Sequence, residues 1–269
     1  MAVRFELPSD HPHVEVVTID RPEQANSLDP PTIRGLAEAW RRVRDDGDVR
    51  VAVVTGAGER VFCAGMDMKT TIPASQRFAR GERIDDETFA ALRDVSTAIL
   101  AGFDVGKPVV AAVNGHCRAV GFDLLLATDL RFAVPDATFA LEEVARGLYP
   151  TGNATVLLPR QIPWVHAQAL LLTARPISAE AAREIGLVNA VVLPEDLLAT
   201  ALDAAGAIAQ NAPLAVQATW RGVRELRDLP IAAAYRRQEV LGRPLRATDD
   251  AREAQRAFVE KRRPVWRGR

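Results

Sequence analysis

The chain has 269 residues, of which 48% are hydrophobic and 26% charged, the usage of an ordinary globular protein and not of a disordered or fibrous one. Its formal net charge of −1 provides no overall basic field to draw nucleic acid or an anionic membrane. Neither partner is expected, and any anionic ligand must be held by a local cluster. The two cysteines and four histidines have no metal-ligand spacing, so neither a disulfide framework nor a metal site is expected.

The first twenty residues, MAVRFELPSDHPHVEVVTID, carry acids and prolines where a signal peptide needs an apolar core. No apolar run approaches the roughly 18 residues of a membrane span, so a cytoplasmic protein is expected. HPH at 11–13 reads as a surface turn around Pro12. Residues 14–20, VEVVTID, predict a strand that ends at the turn Arg21-Pro22. The following LDPPTIRGLAEAWRRVRDDGDVR predicts a helix capped by Asp29, with Pro30 and Pro31 in its first turn.

VAVVTGAG (51–58) and KPVVAAVNG (107–115) are apolar on both faces, as buried strands of a helix-covered sheet require. Between them, residues 69–87 are polar and irregular and predict a mobile loop, followed by a helix at 88–101. DLRFAVPDATFAL (129–141) predicts two short strands around a Pro-Asp turn. From 152 onward the pattern is helical in segments at 152–161, 163–173, 178–186, 194–210, 213–228, 231–243 and 249–263. No internal repeat or low-complexity tract occurs. His116 beside Cys117 is not a nucleophile and its base, because adjacent residues on an extended chain point to opposite sides.

Three features bear on chemistry. In ERVFCAGMDMK (59–69) a glycine closes an apolar stretch, so the following amides can approach a ligand closely. VGFDLLLAT starts a buried helix near Val120 or Gly121, whose free N–H groups suit a developing oxyanion. LEEVARGLYPTGNA (141–154) places Glu142 and Glu143 where a strand gives way to a helix, pointing in different directions, so that at most one reaches a given pocket.

Taken in this order the three features resemble the crotonase family, the enoyl-CoA hydratase/isomerase superfamily. The resemblance runs from TIDRPEQANSLD through VVTGAGERVFCAGMDMK, PVVAAVNGHCRAVGFDLLLATDLRFA and ATFALEEVARGLYPTGNAT to AREAQRAFVEKRRPVWRGR. It implies an α/β fold: a crotonase-type ββα spiral core over residues 1–200, and a helical C-terminal region over 201–269 that trimerises and caps the CoA site. It places one oxyanion-hole amide on Met66 and the second on Val120, and the two hydratase carboxylates on Asp123 and Glu143. CoA is implied to bind bent, with its adenine against main chain near Ala64, Asp67 and Met68 and its phosphates near Lys69. Lys261 of the basic last helix is implied to reach the CoA of a site within a homotrimer or dimer of trimers.

Two residues depart from the family pattern. Val120 stands in what is usually a run of glycines, so either it is strained at positive φ or its side chain narrows the acyl site. Asp123 stands where a glutamate is usual, which pulls the carboxylate back by roughly 1 Å. Its place near a helix's positive end predicts an ionised group that holds or activates water, with Glu143 left as proton donor. The resemblance implies hydration of a 2-enoyl-CoA to a 3-hydroxyacyl-CoA, with coenzyme A as part of the substrate and no separate cofactor. The alternatives are a double-bond isomerase using Glu143 alone and a non-catalytic acyl-CoA-binding protein.

Overall fold

A computed structural model describes residues 2–269. Strand β1 (Val3–Glu6) pairs antiparallel with β2 (Val14–Ile19), and α1 (Pro30–Asp45) follows. From there three successive turns of chain share one plan: a strand of a large sheet, a strand of a small sheet, then helix. The first turn is β3 (Val51–Gly56), β4 (Val61–Cys63), α2 (Thr71–Ala79) and α3 (Asp86–Ala98). The second is β5 (Val109–Val113), β6 (His116–Arg118) and α4 (Val120–Leu126). The third is β7 (Leu130–Ala133), β8 (Thr138–Ala140), a 3₁₀ turn at Val144–Arg146 and α5 (Ala154–Gln161). Next come α6 (Trp164–Thr173), β9 (Ile177–Ser178), α7 (Ala179–Glu184) and β10 (Ala190–Val191). The chain ends with α8 (Leu197–Ala209), α9 (Pro213–Leu226), α10 (Ile231–Gly242) and α11 (Asp249–Val259).

The large sheet has the order β1-β2-β3-β5-β7-β10, parallel from β2 onward, and the small one β4-β6-β8-β9, with β9 antiparallel. This is the ββα spiral that the sequence predicts. Every residue of β2 and of β5 is buried, with α8 packed along β2, β3, β5 and β7 and α1 packed on β1 and β2. That explains strands apolar on both faces. Asp29 caps α1 through the Thr32 N–H at 2.9 Å. At the other end of the helix the Lys107 ammonium sits 2.5 Å from the carbonyls of Val43 and Asp46, a cation where the helix dipole favours one.

Two local predictions are corrected. Residues 69–87 are not one irregular loop, since nine of them form α2. The periodicity is invisible because Thr71 is the only buried residue of that helix; its hydroxyl donates to the Leu28 carbonyl at 2.8 Å. β1 is an unpredicted edge strand in which Val3 alone is buried. Among the described residues no helix is long and apolar enough to cross a membrane.

Candidate active site

The turn from β3 to β4 is pinned by two buried or half-buried amides. The Asn26 side chain donates to the carbonyls of Ala57 (2.9 Å) and Val61 (2.7 Å). Asn114 donates to the Gly58 carbonyl at 2.7 Å and accepts from the Gly56 N–H at 3.1 Å. The segment after β4 is thereby held beside the end of β6. Gly65 has φ of +94°, and a Cβ there would lie 3.0 Å from the Ala119 Cβ and 3.6 Å from the Val120 nitrogen. The residue preceding Met66 therefore packs directly against the Val120 amide.

Among the described residues, neither the Met66 N–H nor the Val120 N–H donates to a protein acceptor. Their neighbours do: Ala64 donates to Ala25, Asp67 to Leu28 and Ala119 to Ala140. Each of the two free donors follows a residue at positive φ, Gly65 at +94° and Ala119 at +47°. Val120 itself is the first residue of α4 and is absent from the positive-φ residues. The strain foreseen at Val120 falls instead on Ala119, whose φ of 47° and ψ of −123° suit glycine. The Val120 side chain packs, half-buried, against the core.

Asp123, one turn into α4, is fully buried. Its Oδ1 accepts from the N–H groups of Asn153 (2.7 Å) and Ala154 (2.6 Å), the first amides of α5, while Oδ2 is buried with no partner. The Asn153 side chain completes the cradle by donating to the Asp123 and Ile99 carbonyls, both at 2.9 Å. Gly152, at φ +127°, leaves the room this needs, since a Cβ there would fall 2.9 Å from both Cγ and Oδ2 of Asp123.

Burial pushes the Asp123 carboxyl up to about 7, with the Glu143 charge adding and the two α5 amides opposing. Against the expectation of a group kept ionised, loss of water outweighs the two amide hydrogen bonds and moves Asp123 toward its protonated form. Glu143 stands just before the 3₁₀ turn, with Oε2 buried and unpartnered. Burial raises its carboxyl too, with Glu142 adding and Arg146 opposing. Glu142 turns outward to Arg146 at 3.0 Å, so one of the two glutamates faces inward.

The Asp67 carboxylate is committed to the fold. It accepts from the N–H groups of Lys69 (2.9 Å) and Thr70 (3.1 Å) and from the Ser27 hydroxyl (3.2 Å), and it pairs with Arg21. Burial works against its charge, but these hydrogen bonds outweigh it and hold the pKa below the usual range. Lys261 is not gathered with the other predicted residues in this chain. Its segment is anchored at the opposite end of the large sheet, where Trp266 donates to the Gln210 carbonyl and Arg50, just before β3, donates to that of Ala209. Arg252, Arg256, Arg262 and Arg269 of the basic tail are paired with Asp249, Glu253 or Glu260.

Cys63 and Cys117 are buried, and burial pushes the Cys63 thiol up to about 12 and the Cys117 thiol well above its ordinary value, so neither is poised as a nucleophile. A cavity of about 910 Å³ lies behind the Asp123 cradle, between α9 and the ends of α3 and α4. Its wall includes Asn153 but neither carboxylate. The sequence reading did not identify Ala119, Gly152, Asn153 or Arg146 as parts of the site; only PTGNA, with its glycine ahead of a helix start, carried a signal.

Two free amides after β4 and β6 and two carboxyl groups that each keep a buried, unpartnered oxygen invite comparison with known proteins. The family model for enoyl-CoA hydratase/isomerase matches residues 10–269. The chain belongs to that family. It is an enzyme of the hydro-lyase/isomerase type, and its fold is the crotonase fold. It is 43% identical over 256 residues to the (E)-benzylidenesuccinyl-CoA hydratase of Thauera aromatica, covering 95% of this chain and 96% of that one. It is 36% identical to the carnitinyl-CoA dehydratase of Salmonella typhi, with full coverage of both. The crystal structure of an enoyl-CoA hydratase from Bacillus anthracis superposes with a TM-score of 0.89 at 30% identity, covering all of both chains.

Proposed function

We infer that this enzyme adds water across the double bond of a 2-enoyl-CoA to give a 3-hydroxyacyl-CoA. The observation that carries the reading is the presence of two donor N–H groups without a protein acceptor, Met66 and Val120, together with a buried and a half-buried carboxyl group, Asp123 and Glu143, that each keep one buried, unpartnered oxygen. The amides hold the thioester oxygen as it gains enolate charge. Water oxygen bonds to C3 while one of its protons passes to a carboxylate, and the other carboxyl group delivers a proton to C2. Glu143 is the leading acid/base, and Asp123 holds and helps activate the water. With both carboxyls raised by burial, and the Glu143 charge raising Asp123 further, a single shared proton suits this exchange. Relatives named as a hydratase and a dehydratase support water as co-reactant.

CoA fits the same segment through carbonyls. The Ala64 and Asp67 N–H groups are spent on Ala25 and Leu28, leaving the Ala64 and Met68 carbonyls to accept from the adenine amine, with Lys69 toward the phosphates. Exposed Ile231, Tyr235 and Val240 on α10, and Phe258 and Val259 on α11, support assembly as a trimer or dimer of trimers, in which Lys261 reaches a neighbour's CoA. One observation favours a second reading. Asp123 is drawn back onto the α5 amides, which leaves Glu143 to move a proton alone, as a double-bond isomerase requires. A panel of acyl-CoA thioesters, screened for binding and then for product mass, separates the readings. Gain of water supports hydration; an isomer of unchanged mass supports the second; binding without turnover overturns both.

A further inference from the structure

Arg146 is charged, stands three residues after Glu143, and is used by neither reading above. Its backbone N–H donates to the Glu143 carbonyl at 2.9 Å, which closes the 3₁₀ turn. Its guanidinium spans two segments: one terminal nitrogen lies 3.0 Å from Glu142 Oε2 and the other 3.8 Å from the Met68 sulfur. Met68 is two residues beyond the Met66 amide, on a loop otherwise fixed through Asp67, which holds the Lys69 and Thr70 N–H groups, the Ser27 hydroxyl and Arg21. The fork thus bridges the turn bearing the inward carboxyl and the loop bearing a free amide.

We propose that Arg146 is a positioning residue that clasps the Glu143 turn to the Met66–Met68 loop and so sets the reach from the proton-transferring carboxyl to the thioester oxygen. The inference rests on the two-amide, two-carboxylate reading of the site. The Arg146–Glu142 pair is half-exposed, with side-chain exposures of 49% and 32%, and pairs of this kind add at most about 1 kcal/mol to stability. Its value lies in geometry and field, because a loosened reacting group costs rate even when the fold is intact. The charges facing Glu143 are Glu142 and Arg146 from its own turn and Asp123 from α4. Of these only Arg146 is positive, and it opposes the effect of burial.

Arg146→Met keeps the stem and removes the charge and the fork, whereas Arg146→Lys keeps the charge and cannot span both partners. With enzyme labelled with ¹³C at glutamate carboxyls, the Glu143 signal is assigned by its loss in Glu143→Gln and titrated. The Glu143 midpoint moves to higher pH in Arg146→Met and stays closer to the unsubstituted enzyme in Arg146→Lys. Hydration kcat falls about 10-fold in both, with KM within about 3-fold and the melting temperature lower by no more than about 4 °C. A Glu143 midpoint unmoved in Arg146→Met overturns the proposal, as does a raised KM with intact kcat, which marks Arg146 as a substrate contact. The titration needs no turnover, so an enzyme that hydrates nothing refutes the reading of the function while the clasp is still judged by the midpoint.

Discussion

Replacing Asp123 by asparagine separates what this residue does for the reaction from what it costs the fold. The folded-state pKa is raised from 3.8 to about 7, so between these values the folded protein binds a proton that the unfolded chain does not. The sign follows: the contribution of this group is fully present below the unfolded value, is lost as pH rises toward about 7, and is constant above. At about 1.4 kcal/mol per pH unit, the loss between pH 5 and pH 8 is on the order of 2–3 kcal/mol. Asparagine does not titrate. Its Oδ1 still accepts from the Asn153 and Ala154 N–H groups, and its NH₂ takes the place of the unpartnered Oδ2 at a penalty of about 1–3 kcal/mol that does not depend on pH. Comparing Asp123→Asn with the unsubstituted enzyme at both pH values cancels that penalty. The melting temperature of the variant relative to the parent should therefore be higher at pH 8 than at pH 5 by roughly 5–10 °C, at matched protein concentration. A relative shift that is the same at both pH values would show Asp123 already ionised at pH 5 in the folded protein and refute the reasoning.

Gly152→Ala places a Cβ 2.9 Å from the Asp123 carboxylate at a φ of +127°. It is expected to destabilise by about 2–4 kcal/mol in urea melts and to lower hydration by about 100-fold; a neutral effect on both would mean the cradle yields. Ala119→Gly relieves the strained dihedrals and adds glycine's chain entropy, so stability should stay within about 1 kcal/mol and turnover should persist. Ala119→Val, a β-branched residue at φ 47°, should lose both. Glu143→Gln is expected to lower kcat by at least about 100-fold, read in steady-state assays of folded variant; unchanged turnover would remove Glu143 from the chemistry.

Much of the fold was legible because its signals are local. Asp29-Pro30-Pro31 marks a helix start in side-chain chemistry alone, and VAVVTG and PVVAAV can be stably buried only between covering layers. The site was legible through the order of CAGMDMK, VGFDLLL and LEEV, each weak singly. What stayed hidden depends on contacts made at long range. The packing of Gly65 by the Val120 nitrogen, so close that a Cβ on the glycine would lie 3.6 Å from it, joins positions 55 residues apart. The withdrawal of Asp123 onto the α5 amides requires knowing that a segment 30 residues later folds back against α4. The dipole argument for an ionised Asp123 rested on α4, whereas the amides that favour its charge start α5, and it omitted desolvation, which only burial reveals. α2 escaped because a helix resting on the surface through a single buried threonine carries no apolar stripe.

The central claim is that water is added at C3 of a 2-enoyl-CoA under the Met66 and Val120 amides. Its most direct test is mass spectrometry of the product formed from a 2-enoyl-CoA in H₂¹⁸O. A 3-hydroxyacyl-CoA carrying one ¹⁸O at C3, formed by the unsubstituted enzyme and at least about 100-fold more slowly by Glu143→Gln, is the expected result; a product of unchanged mass with its double bond moved, or unreacted thioester, would contradict the account.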